Sequence, residues 1–516
     1  MPSQHVFETA TDEDLTLEKL GYHQKFKRSY SLLDMIGFSF SIVTCWTALS
    51  GVFIVGVNAG GPPVMIFGWI GVCVVTMAIA LSMAEMCSKW PVAGGQYSWV
   101  ALLAPPRISR PLSYITGWFM LTGILAMGAV NNFITSNFIL GQANLVFPSF
   151  TIERWHTVLV AWLVALVALG VNLSAPHLLN RLTRFILFWN IGSFVIPASF
   201  VFQDFQNFTG WGSSMAVIIG ILQSFFGMCC YDAASHMTEE MTHASRDAPR
   251  AIIMSVGLGA VTGLVFLIAL CFCIGNIDET AASSTGVPVI QIFYDSTHSK
   301  VGACFLASLM TVICLFASIS LLTEGSRSLY AFARDHGLPF SRTLATVHKK
   351  RKVPVYAILV SIIVQIALSA IYFGTVTGFE TVISIATTGF YVSYSLPLLS
   401  RLLGYVSGHM TTSFDSPYSL PIPISLALNA VGLVFLLFAS ITFNFPSDYP
   451  VTHESMNYTS AAIGVIGLLS LVTWATTGRK RFTGPLDVRG LLVDGVSPEV
   501  EADFNCSPSN MTEKVK

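Results

Sequence analysis

Twelve stretches of predominantly apolar residues recur along the chain, roughly at 32–57, 64–88, 112–141, 156–175, 183–203, 215–238, 250–275, 302–326, 354–373, 379–403, 420–443 and 459–477. As helices, runs of about 20 apolar residues each cross the hydrocarbon core of a bilayer. Inside lipid every backbone N–H and C=O must find its partner within the segment, which a helix provides. The third run reads as one long tilted helix. Of the 516 residues only 11% are charged, against about a quarter in soluble domains. This chain is solvated mostly by lipid.

Lysine and arginine positions test the count and set the direction. With the N-terminus inside, twelve spans return the C-terminus to the same side. The inner segments then hold 25 of the 27 basic residues, and the outer ones only Arg154 and Lys300. The expected organisation is a cytoplasmic tail at 1–31, one twelve-span membrane domain at 32–477, and a cytoplasmic tail at 478–516. Within the domain, spans 1–10 occupy about 32–403 and two peripheral spans 420–477. The first 30 residues are polar and charged, so the first span is expected to act as the targeting signal. A net charge of −1 argues against a nucleic-acid partner. Nine cysteines fall inside apolar runs and Cys506 in a polar tail, without disulfide-scaffold or metal-ligand spacing. Sequons at Asn207 and Asn457 fall in outer loops and are glycosylation candidates, whereas those at Asn172, Asn505 and Asn510 lie in a span or inside. No nucleophile elbow, phosphate loop or metal motif is present, so neither an enzyme nor a cofactor is expected.

Helices interrupted at matching places in two halves point to a transporter's binding site. Span 1 places Thr44, Cys45, Trp46, Thr47, Ser50 and Gly51 in mid-membrane. Span 6, "IIGILQSFFGMCCYDAASHM", places Phe226, Gly227, Met228, Cys229, Tyr231 and Asp232 there. Aligning Ile36-Gly37 with Ile219-Gly220 also aligns Ser41 with Ser224, and five spans separate the two copies. Unwound turns free backbone groups that a polar substrate can satisfy. A half-helix N-terminus suits a carboxylate and freed carbonyls suit an ammonium. Gly37 and Gly220 read more simply as close-packing positions.

Three further stretches carry a family resemblance. "SMAEMCSKWPVAGGQYSWV" (82–100), "HMTEEMTHASRDAPRAI" (236–252) and "SRSLYAFARDHGLPFS" (326–341) resemble, in order, the loop signatures of the amino acid–polyamine–organocation permeases. The "LGYHQKFKRSYSLLDMIGFSFSI" and "YDAASHMTEE" stretches are similar to the fungal amino acid/choline group, whose members take 4-aminobutyrate (GABA), choline, ethanolamine, polyamines or vitamin precursors. The resemblance implies an all-α LeuT-type 5+5 inverted repeat with twelve transmembrane helices. It also implies substrate held at the broken centres of spans 1 and 6, and alternating access driven by an ion gradient, usually protons. One departure stands out: span 5 lacks the lysine that some relatives place at the ion site, and offers Asn190 instead. Ser318 and Ser320 of span 8 are candidate oxygen ligands.

Other residues have competing readings. Glu85, near the inner end of span 2, is a gating or coupling candidate, against a helical ion pair with Lys89 four residues on. Glu239, Glu240, Arg246, Arg250, Arg334 and Asp335 read as inner-surface ion pairs. Of Asn131 and Asn132, about 100° apart on a helix, one faces the substrate. Trp46 offers either a cation–π face or an interhelical contact. Asp232 reads first as a half-helix cap and second as a cation ligand, and His236 as an interfacial residue. The expected function is proton-coupled import of a small amino acid or amino-acid-like amine, with GABA foremost, across the plasma membrane. A choline, ethanolamine or polyamine importer, using Asp232, Tyr231 and Trp46, is the first alternative. A non-transporting nutrient sensor is the second, disfavoured by tails of roughly 30 and 39 residues.

Overall fold

Large apolar side chains face outward and polar ones inward, the reverse of a water-soluble helix bundle. Phe67, Val74, Leu163, Val301, Phe305, Val434 and Leu468 stand exposed on the outer faces, whereas Ser41, Asn131, Asn172, Ser320, Thr323 and Glu324 are buried. A bilayer requires this arrangement, since a polar group turned to hydrocarbon finds no partner. The computed structural model describes residues 12–43, 45–174, 207–274, 283, 285–446, 448–452 and 456–485.

Among the described residues, 10 helices are long and apolar enough to cross a membrane, and the shorter apolar helix Ser213–Gly227 supplies the start of span 6. Spans 2, 3 and 4 are Gly61–Lys89, Pro106–Val146 and Arg154–Ser174. Spans 7 to 10 are Ala244–Cys273, Lys300–Arg334, Val355–Gly374 and Val376–Val406, and Ile422–Thr442 and Thr459–Thr473 follow as spans 11 and 12. Span 3 is one 41-residue helix, as its continuous pattern predicts. Expected span 5 (183–203), with Asn190, lies outside the described residues. Short helices Gln96–Leu103 and Pro288–Thr297 fold into the loops after spans 2 and 7.

The two interrupted spans lie side by side. Gln223 Nε2 donates to Leu49 O at 3.2 Å, and Cys45 Sγ meets Met228 Sδ at 4.0 Å. Higher up, Phe208 N–H donates to Asn58 O at 2.8 Å. A Cβ at Gly220 would collide with the carbonyl of Ala59, so the tight-packing reading of that glycine holds. Between spans, hydroxyl and amide pairs join helices: Ser41 with Ser320 at 2.8 Å, and Thr323 with Asn172 at 2.7 Å. Asn172 is buried and also donates to Ile319 O, which places its sequon inside the packing.

The N-terminal segment is more than a tail. Leu17, Leu20, Tyr22, Phe26 and Tyr30 are buried, and Ser29 and Tyr30 N–H both donate to Glu240 O. Residues expected to precede the domain are built into the face that carries the loop after span 6.

Candidate functional site

Span 6 breaks where its sequence loosens. Helical hydrogen bonding stops at Met228 N–H to Ser224 O (3.1 Å) and resumes with Ser235 N–H to Asp232 O (2.7 Å). Between them Cys230 takes φ 62, a left-handed conformation that is costly for a residue with a Cβ. The Tyr391 hydroxyl donates to Phe225 O at 2.7 Å, meeting one carbonyl near the break. Span 1 behaves differently. Cys45–Gly51 is helical, and the interruption falls at Val52, before Phe53–Asn58. The loosening expected about eight to ten residues after Ile36 is not seen at Cys45 and Trp46, which are helical, and Thr44 lies outside the described residues.

A cavity of about 30 Å³ sits where spans 1, 3, 6 and 8 meet. Thr47, Asn131, Phe226 and Cys229, all expected at the site, line it, together with Ala48, Cys230 and Leu321 among others. Among the described residues no charged side chain does. Its volume accommodates about one water, so the site is closed down around itself. Above it opens a vestibule of about 300 Å³ bordered by Gly51, Gln223, Glu380 and Asn457. Phe226 lines both spaces and divides them.

Other expected site residues lie off the cavity. Trp46 packs edge-on against Phe266, ring centroids 5.8 Å apart, which selects the interhelical reading. Cys45 faces Gly259 and Met228. Ser50 bonds back to Trp46 O, and Gly227 fits because a Cβ there would approach Leu49 and Trp69 at 2.9 Å. Asn131 is the asparagine that reaches inward, donating to Cys314 O (2.9 Å) and Ser318 Oγ (2.8 Å), while Asn132 donates to Gln365. Tyr231 stacks on Tyr394. Both outer sequon asparagines spend their amide on carbonyls: Asn207 on Trp211 O (2.6 Å) and Asn457 on Phe443 O (2.8 Å).

Glu85 forms no ion pair with Lys89. It is buried and accepts from Ser425 Oγ at 2.6 Å and Leu420 N–H at 3.1 Å, while Lys89 donates to Asp415 O. It anchors the start of span 11, away from the cavity.

Asp232 precedes the short helix Ala233–His236, but its side chain does not cap it. Instead it accepts from Gln96 Nε2 and the Tyr394 hydroxyl, and its Oδ2 lies 3.0 Å from His236 Nε2. His236 is fully buried rather than interfacial, its Nδ1 3.0 Å from Ala93 O. A Cβ at Gly95 would come within 2.8 Å of the His236 ring. The Gly-Gly-Gln-Tyr signature thus lets the imidazole in and delivers Gln96 to Asp232. Glu324 of span 8 completes the group: one ligand-type atom from each of Asp232, His236 and Glu324 lies within 4.8 Å of the others. Sequence reasoning passed over Glu324, although an acidic residue within the 302–326 run was the available signal.

Below this group a seal closes the molecule on the side expected to be inner. Arg334 Nη1 binds Glu239 at 2.8 and 3.0 Å, and Arg327 Nε binds Glu240 at 2.8 Å. Asp335 accepts from Tyr22 (2.8 Å) and Tyr97 (2.9 Å), with the Arg334 guanidinium 3.9 Å above the Tyr22 ring. Burial pushes the Asp335 carboxyl above the ordinary range, against the opposing pull of Arg334 and the two tyrosine hydroxyls.

Known proteins share this chain's sequence over most of its length. The amino acid permease family profile matches residues 30–468. A Macrophomina phaseolina protein named as an amino acid/polyamine transporter is 62% identical over 441 residues, covering 83% of this chain and 97% of the relative. An amino-acid permease of Arabidopsis thaliana is 30% identical over 91% of this chain and 95% of its own length. A choline transporter of Saccharomyces cerevisiae is 30% identical over 88% of this chain and 82% of its own. Multi-pass, helical and akin to permeases rather than enzymes, the chain belongs to the amino acid permease family of the amino acid–polyamine–organocation superfamily.

Proposed function

We propose that this permease imports a small amino acid or amino-acid-like amine by proton-coupled alternating access, in a twelve-span LeuT-type 5+5 arrangement with both termini cytoplasmic. The observation that carries the reading is the closed cavity beside the span 6 break, lined by no charged side chain among the described residues. A pocket without its own ionic group suits a ligand that brings both charges. Its ammonium and carboxylate can then be met by carbonyls and N–H groups freed at the break. Phe226 would swing to join vestibule and cavity, and the inner seal would part to release substrate. We place the protein in the plasma membrane, with GABA the first compound to test.

Reconstituted protein should accumulate a neutral amino acid or GABA when an inward proton gradient is imposed on proteoliposomes. A panel of amino acids, GABA, choline, ethanolamine and putrescine with no gradient-dependent accumulation would sink the reading. Binding without flux would favour a sensor instead. The similarity to the Saccharomyces choline transporter and to the Macrophomina protein named for amino acids and polyamines favours a cation importer. On the residues, Trp46, Tyr231 and Asp232 do not line the cavity, so choline should be a poor substrate.

A further inference from the structure

We propose that Glu324, with Asp232 and His236, is the site at which the coupling proton is carried. The inference deepens the function proposed above and rests on its being a proton-driven permease.

Position comes first. Leu321 lines the cavity, and Glu324 lies one turn further along the same helix face. Arg327, another three residues on, belongs to the inner seal through Glu240. On span 6 the order repeats: Cys229 and Cys230 line the cavity, Asp232 and His236 follow, and Glu239 and Glu240 join the seal. The three side chains therefore occupy the layer between substrate cavity and cytoplasmic gate. An ion bound there is reached from outside through the cavity and released inside when the seal parts.

Hydrogen bonding then selects the ion. His236 Nδ1 faces a backbone carbonyl, which can only accept, so Nδ1 carries a hydrogen. Nε2 faces a carboxylate oxygen at 3.0 Å, and that contact is a hydrogen bond only if a proton lies between the two atoms. Glu324 is fully buried, and neither of its oxygens has a hydrogen-bond partner among the described residues. An ionised carboxylate with no donor, in low dielectric beside a second carboxyl, costs far more than a neutral acid. Glu324 holds a proton in this closed conformation, and loses it to water when the layer opens.

The neighbours on spans 6 and 10 offer no substitute charge. Span 6 presents Cys229, Cys230 and Tyr231, and span 10 presents Tyr391 and Tyr394. Span 8's next charge, Arg327, is committed to Glu240. Spans 1, 3 and 4 carry only Asp34, Arg107, Arg110 and Arg154 as charged residues, all near their ends; Asp34 binds Ser31, Arg110 binds Phe482 O, and Arg154 binds Gly374 O. Among the described residues, no lysine or arginine pairs with Asp232 or Glu324. Both imidazole nitrogens are engaged, which leaves a proton as the better fit than a metal ion.

The test needs no known substrate. Infrared difference spectra of the full chain in lipid should show the C=O stretch of a protonated carboxyl at neutral pH. Glu324→Gln should remove it, and Glu324→Asp should restore a shifted band. In parallel, GABA and the rest of the panel are assayed for pH-gradient-driven uptake and for substrate-for-substrate exchange. In Glu324→Gln the ratio of driven uptake to exchange should fall about tenfold or more. His236→Gln is the second variant, expected to reduce the same ratio. A protonated-carboxyl band unchanged by Glu324→Gln, accumulation driven by a sodium gradient alone, or zinc binding lost in Glu324→Gln without any change in that ratio would each overturn the proposal. Should no compound accumulate in the unaltered protein, the functional reading fails while the carboxyl band still decides the site.

Discussion

Two layers of buried acid groups lie within a few turns of each other and are treated oppositely. In the inner seal Glu239 and Glu240 each face an arginine, and Asp335 takes two tyrosine hydroxyls beside Arg334. In the layer above, Asp232 and Glu324 have no cationic arginine or lysine partner among the described residues. Carboxylates that face arginines tie two helices together. Glu324, which accepts from no donor among the described residues, holds its proton in the same low dielectric until water arrives. The first kind makes a lock, and the second makes a carrier.

Removing the cation from the lock should have the largest effect. Arg334→Ala leaves Glu239 buried without its partner and Asp335 with two tyrosines only. Breaking one side of such a pair costs about 3–5 kcal/mol, or a shift of hundreds-fold or more toward the inner-open state. A cysteine placed at the cytoplasmic side of the cavity should become rapidly modifiable from inside, and driven uptake should collapse. Unchanged modification would show that the pair is not the lock. A smaller change probes the carrier. Tyr394→Phe removes a hydroxyl donor from Asp232. Losing that donor costs about 1 kcal/mol, so the ratio of driven uptake to exchange should fall roughly fivefold. A ratio that stays in place would separate the Tyr394 contact from coupling.

How much of this was legible in the sequence depends on how local each cause is. Spans are local: apolar runs mark helices because lipid leaves the backbone no other partner, and the expected spans coincide with helices throughout the described residues. The span 6 break is local too, with Gly227 and two cysteines ahead of Tyr231 and Asp232. In span 1 Cys45–Gly51 is helical and a turn falls at Val52, whereas Thr44, where loosening was expected to begin, lies outside the described residues. Asp232's environment is not local. Gln96 and Tyr394 lie 136 and 162 residues away, and nothing in the periodicity of span 10 marks Tyr394 as inward. Glu85 shows the same limit, since its real partners are 335 and 340 residues distant, whereas Lys89 was simply the nearest opposite charge. Glu324 was visible as an acid in an apolar run, but only the fold shows that no donor reaches it.

The smallest predicted effect asks whether the lock has a pH dependence of its own. Tyr22→Phe deletes one of the two hydroxyl donors to Asp335 and leaves Tyr97 and Arg334 in place. Losing one such bond costs about 1 kcal/mol, roughly fivefold in the balance between inner-closed and inner-open states. The sign with pH follows from Asp335 itself. Burial raises its carboxyl above the usual range, so closing around the protonated acid is easiest at low pH and becomes harder as pH rises through that raised value. The Tyr22 hydroxyl helps most when the carboxylate is ionised. The difference between Tyr22→Phe and the unaltered protein, read as inner-side cysteine accessibility, should therefore widen from mildly acidic to mildly alkaline buffer. A gap that narrows instead would mean that Tyr22 acts through its ring against Arg334, and that the N-terminal segment braces the seal by packing rather than by hydrogen bonding.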